Sequence, residues 1–96
     1  MSDKPPANRR PWYVYIVKCA DGSLYTGITT DVLRRLSQHD SGQGAKYTRA
    51  RGPLQLLGCE MHPDRSSASR AEYAIKQLTA SEKRERAKTM RAALPV

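Results

Sequence analysis

The sequence predicts an α/β (α+β) domain in which a three-stranded antiparallel β-sheet is flanked by α-helices. Two runs rich in aromatic and β-branched residues, 12–18 and 23–29, are separated by a short turn and predict a β-hairpin. A third apolar run, 54–61, predicts the remaining strand, and apolar residues spaced by three or four positions predict helices on either side of it. With 96 residues, 39% of them hydrophobic, the chain can form one modest core, so we predict a single domain over 11–93.

The length of the hairpin turn decides which side chains share a face of the sheet. A two-residue turn would send Tyr15 and Tyr25 to opposite faces. A three-residue loop, with Gly22 in the left-handed conformation, shifts the register by one and brings both tyrosines to the same face. We favour this register because it separates an apolar face from an aromatic one, and it predicts a core side and a working side. The core side would carry Val14, Ile16, Leu24 and Ile28, and the working side Tyr13, Tyr15 and Tyr25.

Three helices are expected around the sheet. Thr30 or Asp31 can cap a helix that runs to about residue 40 and places Arg35 and His39, four residues apart, on one face. Spaced apolar residues predict a second helix over 65–78. A third, mostly polar helix follows it and is expected on the outside of the domain.

The charge balance points to a polyanionic partner. Lys and Arg total 17 against 9 Asp and Glu, which gives a net charge of +8. Nucleic acid is favoured over membrane because no apolar run approaches the roughly 20 residues of a membrane span. Residues 1–10 lack a secretory signal and predict a disordered basic tail, so we expect a cytoplasmic protein. Cys19 and Cys59 belong to no C-x2-C pair, and both are expected to be reduced and free of zinc.

The hairpin and the helix after it resemble the GIY-YIG nuclease superfamily, in particular its small single-domain bacterial YhbQ-like branch. Tyr13-Val14-Tyr15 stands where the family has Gly-Ile-Tyr, and Tyr25-Thr26-Gly27 stands where it has Tyr-Ile-Gly. Tyr13 replaces the first glycine, and no Asn follows the later glutamate where many members carry an amide. The resemblance covers about 11–78, and the matched residues are Tyr15, Tyr25, Arg35, His39 and Glu72.

This resemblance implies a metal-dependent DNA endonuclease that hydrolyses phosphodiester bonds with Mg²⁺ or Mn²⁺. It also implies branched, flapped or damaged DNA as the target and a link to DNA repair or recombination. Tyr15 would be the candidate general base, Tyr25 would orient water or phosphate, and Arg35 would hold the phosphate oxygens. His39 would assist, and Glu72 would bind the metal.

Tyr15 can act as a general base only if its pKa is lowered. A free phenol has a pKa of about 10, so Tyr15 can accept a proton near neutral pH only if Arg35 or the metal lowers that pKa. Which of the two tyrosines is the base stays open.

Each of these residues also has a purely structural interpretation. Tyrosines alternating along a strand are typical of sheet packing, Arg35 alone is typical of a solvated helix face, and Glu72 can pair with Lys76 one helical turn later. The loop between the first helix and the third strand is a candidate nucleic-acid contact, with a solvated loop as the alternative. Its candidate residues are Lys46, Tyr47, Arg49 and Arg51.

Two other classes of function compete with the nuclease. A nucleic-acid-binding module with the same fold and no cleavage would need no metal carboxylate in a basic groove, so the joint retention of Tyr15, Tyr25, Arg35 and Glu72 argues against it. A protein-interaction adaptor would show an exposed apolar patch, whereas the segments expected at the surface are polar.

Overall fold

The fold is given by a computed structural model that describes residues 11–40 and 54–90. The three strands form one antiparallel sheet in the order β2-β1-β3, and three helices flank it, which confirms the predicted fold class. No helix in the described ranges is long and apolar enough to cross a membrane. The elements are β1 (Trp12–Lys18), β2 (Leu24–Thr29), α1 (Val32–Asp40), β3 (Gln55–His62), α2 (Arg65–Lys76) and α3 (Ala80–Thr89).

Several sequence predictions concern residues outside the described ranges. They are the N-terminal tail 1–10 and the whole candidate nucleic-acid loop with Lys46, Tyr47, Arg49 and Arg51. The domain boundary at residue 93 also lies there. These stay predictions.

The hairpin has the register that the three-residue loop predicts. Tyr15 lies opposite Gly27 and Val17 opposite Tyr25, so both tyrosines point to one face of the sheet. Gly22 has φ +87°, a left-handed conformation that residues with a β-carbon rarely adopt. The loop closes with a hydrogen bond from the Cys19 amide to the Ser23 carbonyl at 2.8 Å.

The tyrosine face is also a core face, so the predicted division of the sheet into a core side and a working side is wrong in this respect. Tyr15 is only 1% exposed because α1 covers this side of the sheet with Val32 and Leu36. The other face packs against α2 and α3. We call the first group the tyrosine cluster (Tyr13, Tyr15, Val17, Val32 and Cys59) and the second the helix cluster (Val14, Ile16, Ile75, Ala87 and Met90).

The start of α1 is set by two side-chain hydrogen bonds. Asp31 Oδ1 accepts from the Arg34 amide at 3.1 Å, so Asp31 is the helix cap. Thr29 Oγ1 in turn accepts from the Asp31 amide at 3.1 Å. This arrangement fixes the direction in which α1 leaves the edge strand β2, and therefore where Arg35 lies.

Helix α3 packs more closely on the sheet than its polar sequence indicates. A β-carbon on Gly58 would lie 2.8 Å from the Ala87 carbonyl oxygen and 3.2 Å from Met90 Cβ. Glycine at this position therefore lets the end of α3 approach β3 directly. Most other α3 side chains are exposed, as predicted.

A polar network joins β3 to α2 and α3. Glu60 accepts from Arg86 Nη2 at 2.9 and 3.2 Å and lies 3.1 Å from His62 Nε2. Burial raises the pKa of Glu60, but the hydrogen bonds from Arg86 and His62 outweigh burial and leave that pKa below its usual value. Because the carboxylate only accepts, Nε2 donates to it, and His62 Nδ1 accepts from the Ser67 hydroxyl at 2.6 Å.

Thr26 offers a direct test of how the sheet packs on the helices. It is 3% exposed, and its hydroxyl has no hydrogen-bond partner within the described residues. We expect Thr26→Val to raise the free energy of unfolding by about 1 kcal/mol. The substitution removes a buried hydroxyl that loses its hydrogen bonds to water on folding and forms none in their place. The measurement is urea denaturation followed by circular dichroism.

Thr29→Val is the matched control, because it makes the same change of atoms at a hydroxyl that accepts from the Asp31 amide. This variant should lose about 1 kcal/mol. If Thr26→Val and Thr29→Val changed the free energy of unfolding by equal amounts in the same direction, the packing of Thr26 described above would be contradicted.

Candidate active site

The Tyr15 side chain lies directly over Gly27 on the neighbouring strand. A β-carbon placed on Gly27 would be 2.6 Å from the Tyr15 hydroxyl oxygen and 2.8 Å from Cζ, closer than any real contact. Glycine therefore leaves the space that the phenol fills. Because β2 is the edge strand, this arrangement extends the hydroxyl from the central strand towards the edge of the sheet.

Tyr25 packs beside this phenol. The ring centroids of Tyr15 and Tyr25 are 6.3 Å apart, and the rings are tilted by 50°. Such tilted pairs are among the favourable arrangements of aromatic rings. Tyr25 is partly exposed, so of the two hydroxyl-bearing rings it is the one with more access to solvent.

Arg35 and Glu72 act on the same hydroxyl from two different helices, Arg35 by a hydrogen bond and Glu72 through its charge. The Arg35 guanidinium hydrogen-bonds the Tyr15 hydroxyl, and its Nη1 also donates to Gln38 Oε1 at 3.0 Å. Glu72 lies on α2, which packs against β1 and β2, and its charge acts on the Tyr15 phenol. The structure thus brings four of the five matched residues together. The fifth, His39, lies on α1, but its side chain falls outside the described part of the chain.

The environment keeps the Tyr15 phenol protonated. Burial raises the pKa of Tyr15 to about 12, and its electrostatic interactions with Tyr25 and Glu72 act in the same direction. Arg35 lowers this pKa, as the sequence predicted, but its effect is smaller than that of burial. At neutral pH the hydroxyl therefore accepts a hydrogen bond from Arg35 and still has a proton to donate.

Glu72 is the carboxylate available to a metal ion near this hydroxyl. Its side chain is 22% exposed and lies 3.3 Å from Lys76 Nζ, so the structural pairing considered from sequence is present. The described residues contain no group of three or more His, Cys, Asp or Glu side chains that could hold a metal. One accessible carboxylate fits a Mg²⁺ ion that keeps most of its own water ligands.

A groove of about 360 Å³ opens beside Arg35, and we call it the Arg35 groove. Sequence reasoning missed most of the residues that line it, although Arg34 is adjacent to Arg35 and Trp12 begins β1. The Arg65 guanidinium lies 5.5 Å from the centre of the Trp12 ring, in cation–π geometry. The groove is lined by Trp12, Ile28, Thr29, Thr30, Asp31, Arg34, Arg35 and Gln38.

A family model and curated relatives match this sequence over most of its length. The family model for the GIY-YIG catalytic domain matches residues 11–86. The UPF0213 protein DP2720 of Desulfotalea psychrophila is 55% identical over 82 residues, which cover 84% of this chain and 74% of that protein. The UPF0213 protein YhbQ of Escherichia coli O8 is 56% identical over 73 residues, or 76% of this chain and 73% of that protein.

Two solved structures share the fold. The solution structure of the UPF0213 protein BH0048 from Bacillus halodurans has a TM-score of 0.52 and 47% identity, covering 86% of this chain and 87% of that one. The solution structure of EF2693 from E. faecalis has a TM-score of 0.60 and 44% identity, covering 85% and 88%. The resemblance to the YhbQ-like branch inferred from sequence is therefore confirmed.

Gly27→Ala should displace the Tyr15 phenol, because the new methyl group would occupy the place of the hydroxyl. We expect a loss of about 1–3 kcal/mol in the free energy of unfolding, typical of overpacking a core. The Tyr15→Phe/Gly27→Ala double variant should recover part of it, because Phe lacks the oxygen that the methyl group meets. Denaturation curves of the three variants test this. Strictly additive losses would contradict the close approach.

The raised pKa of Tyr15 predicts a loss of stability in alkali. The unfolded phenol ionises near pH 10 and the folded one near 12, so the stabilising contribution is complete below pH 10 and is lost as the pH rises through that interval. Urea denaturation at pH 8 and pH 11 should show a smaller loss for Tyr15→Phe than for the wild type. Tyr73→Phe is the control, since Tyr73 is 69% exposed. An equal loss in Tyr15→Phe and the wild type would contradict the assignment.

Proposed function

Because the chain belongs to the GIY-YIG family, we propose that it is a divalent-metal-dependent DNA endonuclease. One observation carries the proposal: the Tyr25 ring packs beside Tyr15, Arg35 from α1 hydrogen-bonds the Tyr15 hydroxyl, and the charge of Glu72 from α2 acts on the same phenol. Sheet packing alone explains the two tyrosines. It does not require a guanidinium and a carboxylate at the same phenol.

The arrangement supplies groups that phosphodiester hydrolysis needs. Negative charge develops on the phosphate oxygens, and the planar guanidinium of Arg35 can donate two hydrogen bonds to them. Glu72 would hold Mg²⁺ or Mn²⁺, which supplies additional positive charge when bound. Tyr25, the more accessible phenol, would orient the attacking water or the phosphate.

The role of Tyr15 depends on the charge that accumulates around it. In the free protein its proton is held firmly, so it acts as a donor that positions a phosphate oxygen or water. It can accept a proton only when additional positive charge in the substrate complex lowers its pKa. We propose His39, which shares α1 with Arg35, as an assisting residue.

The Arg35 groove would receive the DNA strand next to the scissile phosphate. Arg34 and Arg35 line it together and can contact successive phosphates, while the Trp12 ring offers an apolar surface to the sugar or base. The residues Lys46, Tyr47, Arg49 and Arg51 would extend this contact. We propose branched, flapped or damaged DNA as the substrate, with a role in repair or recombination in the cytoplasm.

A binding module without cleavage is the second candidate. Two observations favour it: the Tyr15 pKa is raised rather than lowered, and Glu72 is already paired with Lys76. Both would have to change on substrate binding for hydrolysis to proceed. The nuclease remains our first proposal because pure binding needs no carboxylate at the phenol.

The test is cleavage of labelled single-stranded, duplex, flap and four-way-junction DNA with Mg²⁺, Mn²⁺ or EDTA. We expect metal-dependent cutting that Arg35→Lys and Glu72→Gln each reduce by about 100-fold or more, the usual effect of removing one transition-state contact. Arg70→Lys and Glu85→Gln make the same chemical changes at exposed positions away from the site and should leave cutting unchanged.

DNA binding by Arg35→Lys and Glu72→Gln, measured in EDTA, separates catalysis from affinity. Retained binding with lost cutting supports the assigned roles. Binding by the wild type with no cutting of any substrate under either metal would overturn the nuclease in favour of the binding module.

A further inference from the structure

A second groove lies at the opposite end of β1 from the Arg35 groove. Its volume is about 260 Å³, and we call it the α3 groove. Lys18 at the end of β1 lies opposite Gln55 at the start of β3, and α3 forms the other wall. The groove is lined by Lys18, Gln55, Leu57, Arg84, Ala87 and Lys88.

The rim of this groove is positively charged. Arg84 and Lys88 are four residues apart and share one face of α3, and Lys18 faces them from the sheet. Lys88 is 3.2 Å from Glu85, but both side chains are more than 70% exposed, so this pair contributes little. Within the described ranges Lys18 and Arg84 make no ion pair, and no carboxylate lines the groove.

The floor of the groove is apolar. Leu57 is the extra residue where the pairing of β3 with β1 shifts register, since Leu56 and Gly58 take the adjacent partners on β1. It packs against the helix cluster, to which Ala87 belongs. A free phosphate would need only the cationic rim, whereas a nucleotide would use the floor for its base, the rim for its phosphate and the Gln55 amide for a hydrogen bond.

We propose that the α3 groove binds a single-stranded flank of the nucleic-acid substrate. Base contact with the floor requires an unpaired base. The proposal rests on the proposed function for the identity of the substrate. It predicts that a substrate is held at two points on opposite ends of the domain.

The separation of the two grooves sets a minimum length for such a strand. Trp12 and Lys18 are six residue steps apart on β1, which is about 20 Å at ~3.3 Å per residue. At 3.4 Å per nucleotide in a stacked strand, this distance corresponds to about six nucleotides. A shorter oligonucleotide cannot occupy both grooves unless it is stretched.

The experiment is fluorescence anisotropy of labelled single strands of 4 to 16 nucleotides, in EDTA, as a function of salt. The Lys18→Ala/Arg84→Ala double variant should bind a 16-mer about tenfold more weakly at about 0.1 M salt and reduce the salt slope by about 1.4, or ~0.7 per phosphate contact. The 4-mer, which spans both grooves only when it is stretched, should be affected much less. Lys18→Arg/Arg84→Lys should bind like the wild type.

Lys83→Ala/Arg70→Ala removes the same two charges outside both grooves and is the matched control. Equal slopes in the wild type and the Lys18→Ala/Arg84→Ala variant, or an equal loss in the control, would overturn the proposal. An equal loss of affinity for a blunt duplex would overturn the single-strand assignment. Because binding is measured without metal, the two proposals fail separately. If the Lys18→Ala/Arg84→Ala variant loses affinity as expected but the wild type cuts no DNA, only the proposed nuclease activity is overturned. If the wild type cuts DNA and the double variant binds single strands as tightly as the wild type does, only the proposed role of the α3 groove is overturned.

Discussion

The close approach of the Tyr15 ring to Gly27 is the constraint on which the candidate site depends. Tyr15 belongs to the central strand, where a side chain is normally confined to the core. The missing side chain on the edge strand lets this phenol cross over β2, so one residue both fills the core and presents a hydroxyl to two helices. A larger residue at position 27 would separate these two roles, because the ring could not keep its place in the core and its contact with Arg35 together.

Burial fixes the position of this hydroxyl but also makes it harder to ionise. The same packing that fixes its position raises its pKa to about 12, against the influence of Arg35. A low local dielectric also strengthens the hydrogen bond between phenol and guanidinium. In the free protein the hydroxyl is thus a neutral hydrogen-bonding group, and under the proposed function proton transfer from water would need the added charge of the substrate complex.

The two faces of the sheet are covered by different helices. Helix α1, whose start is fixed by Thr29 and Asp31, covers the tyrosine cluster and delivers Arg35. Helices α2 and α3 cover the helix cluster, and the network around Glu60 joins them to β3. Because α1 carries Arg35 and α2 carries Glu72, the two charged groups that act on the Tyr15 hydroxyl come from helices on both sides of the sheet. Within the described ranges, a groove lined by positively charged side chains lies at each end of β1.

The sequence by itself determined the three strands and the three helices and favoured the observed hairpin register, because the alternation of apolar and aromatic residues and a glycine in the turn are local signals. It also identified Tyr15, Tyr25, Arg35 and Glu72 as one group, through spacing shared with a family. Only the tertiary structure decided that the tyrosine face is buried, that burial outweighs Arg35 at the Tyr15 phenol, and that Trp12 and Arg34 line a groove. The physical reason is that burial, pKa and groove shape depend on which helix covers which face, and residues far apart in the chain settle that only when they pack.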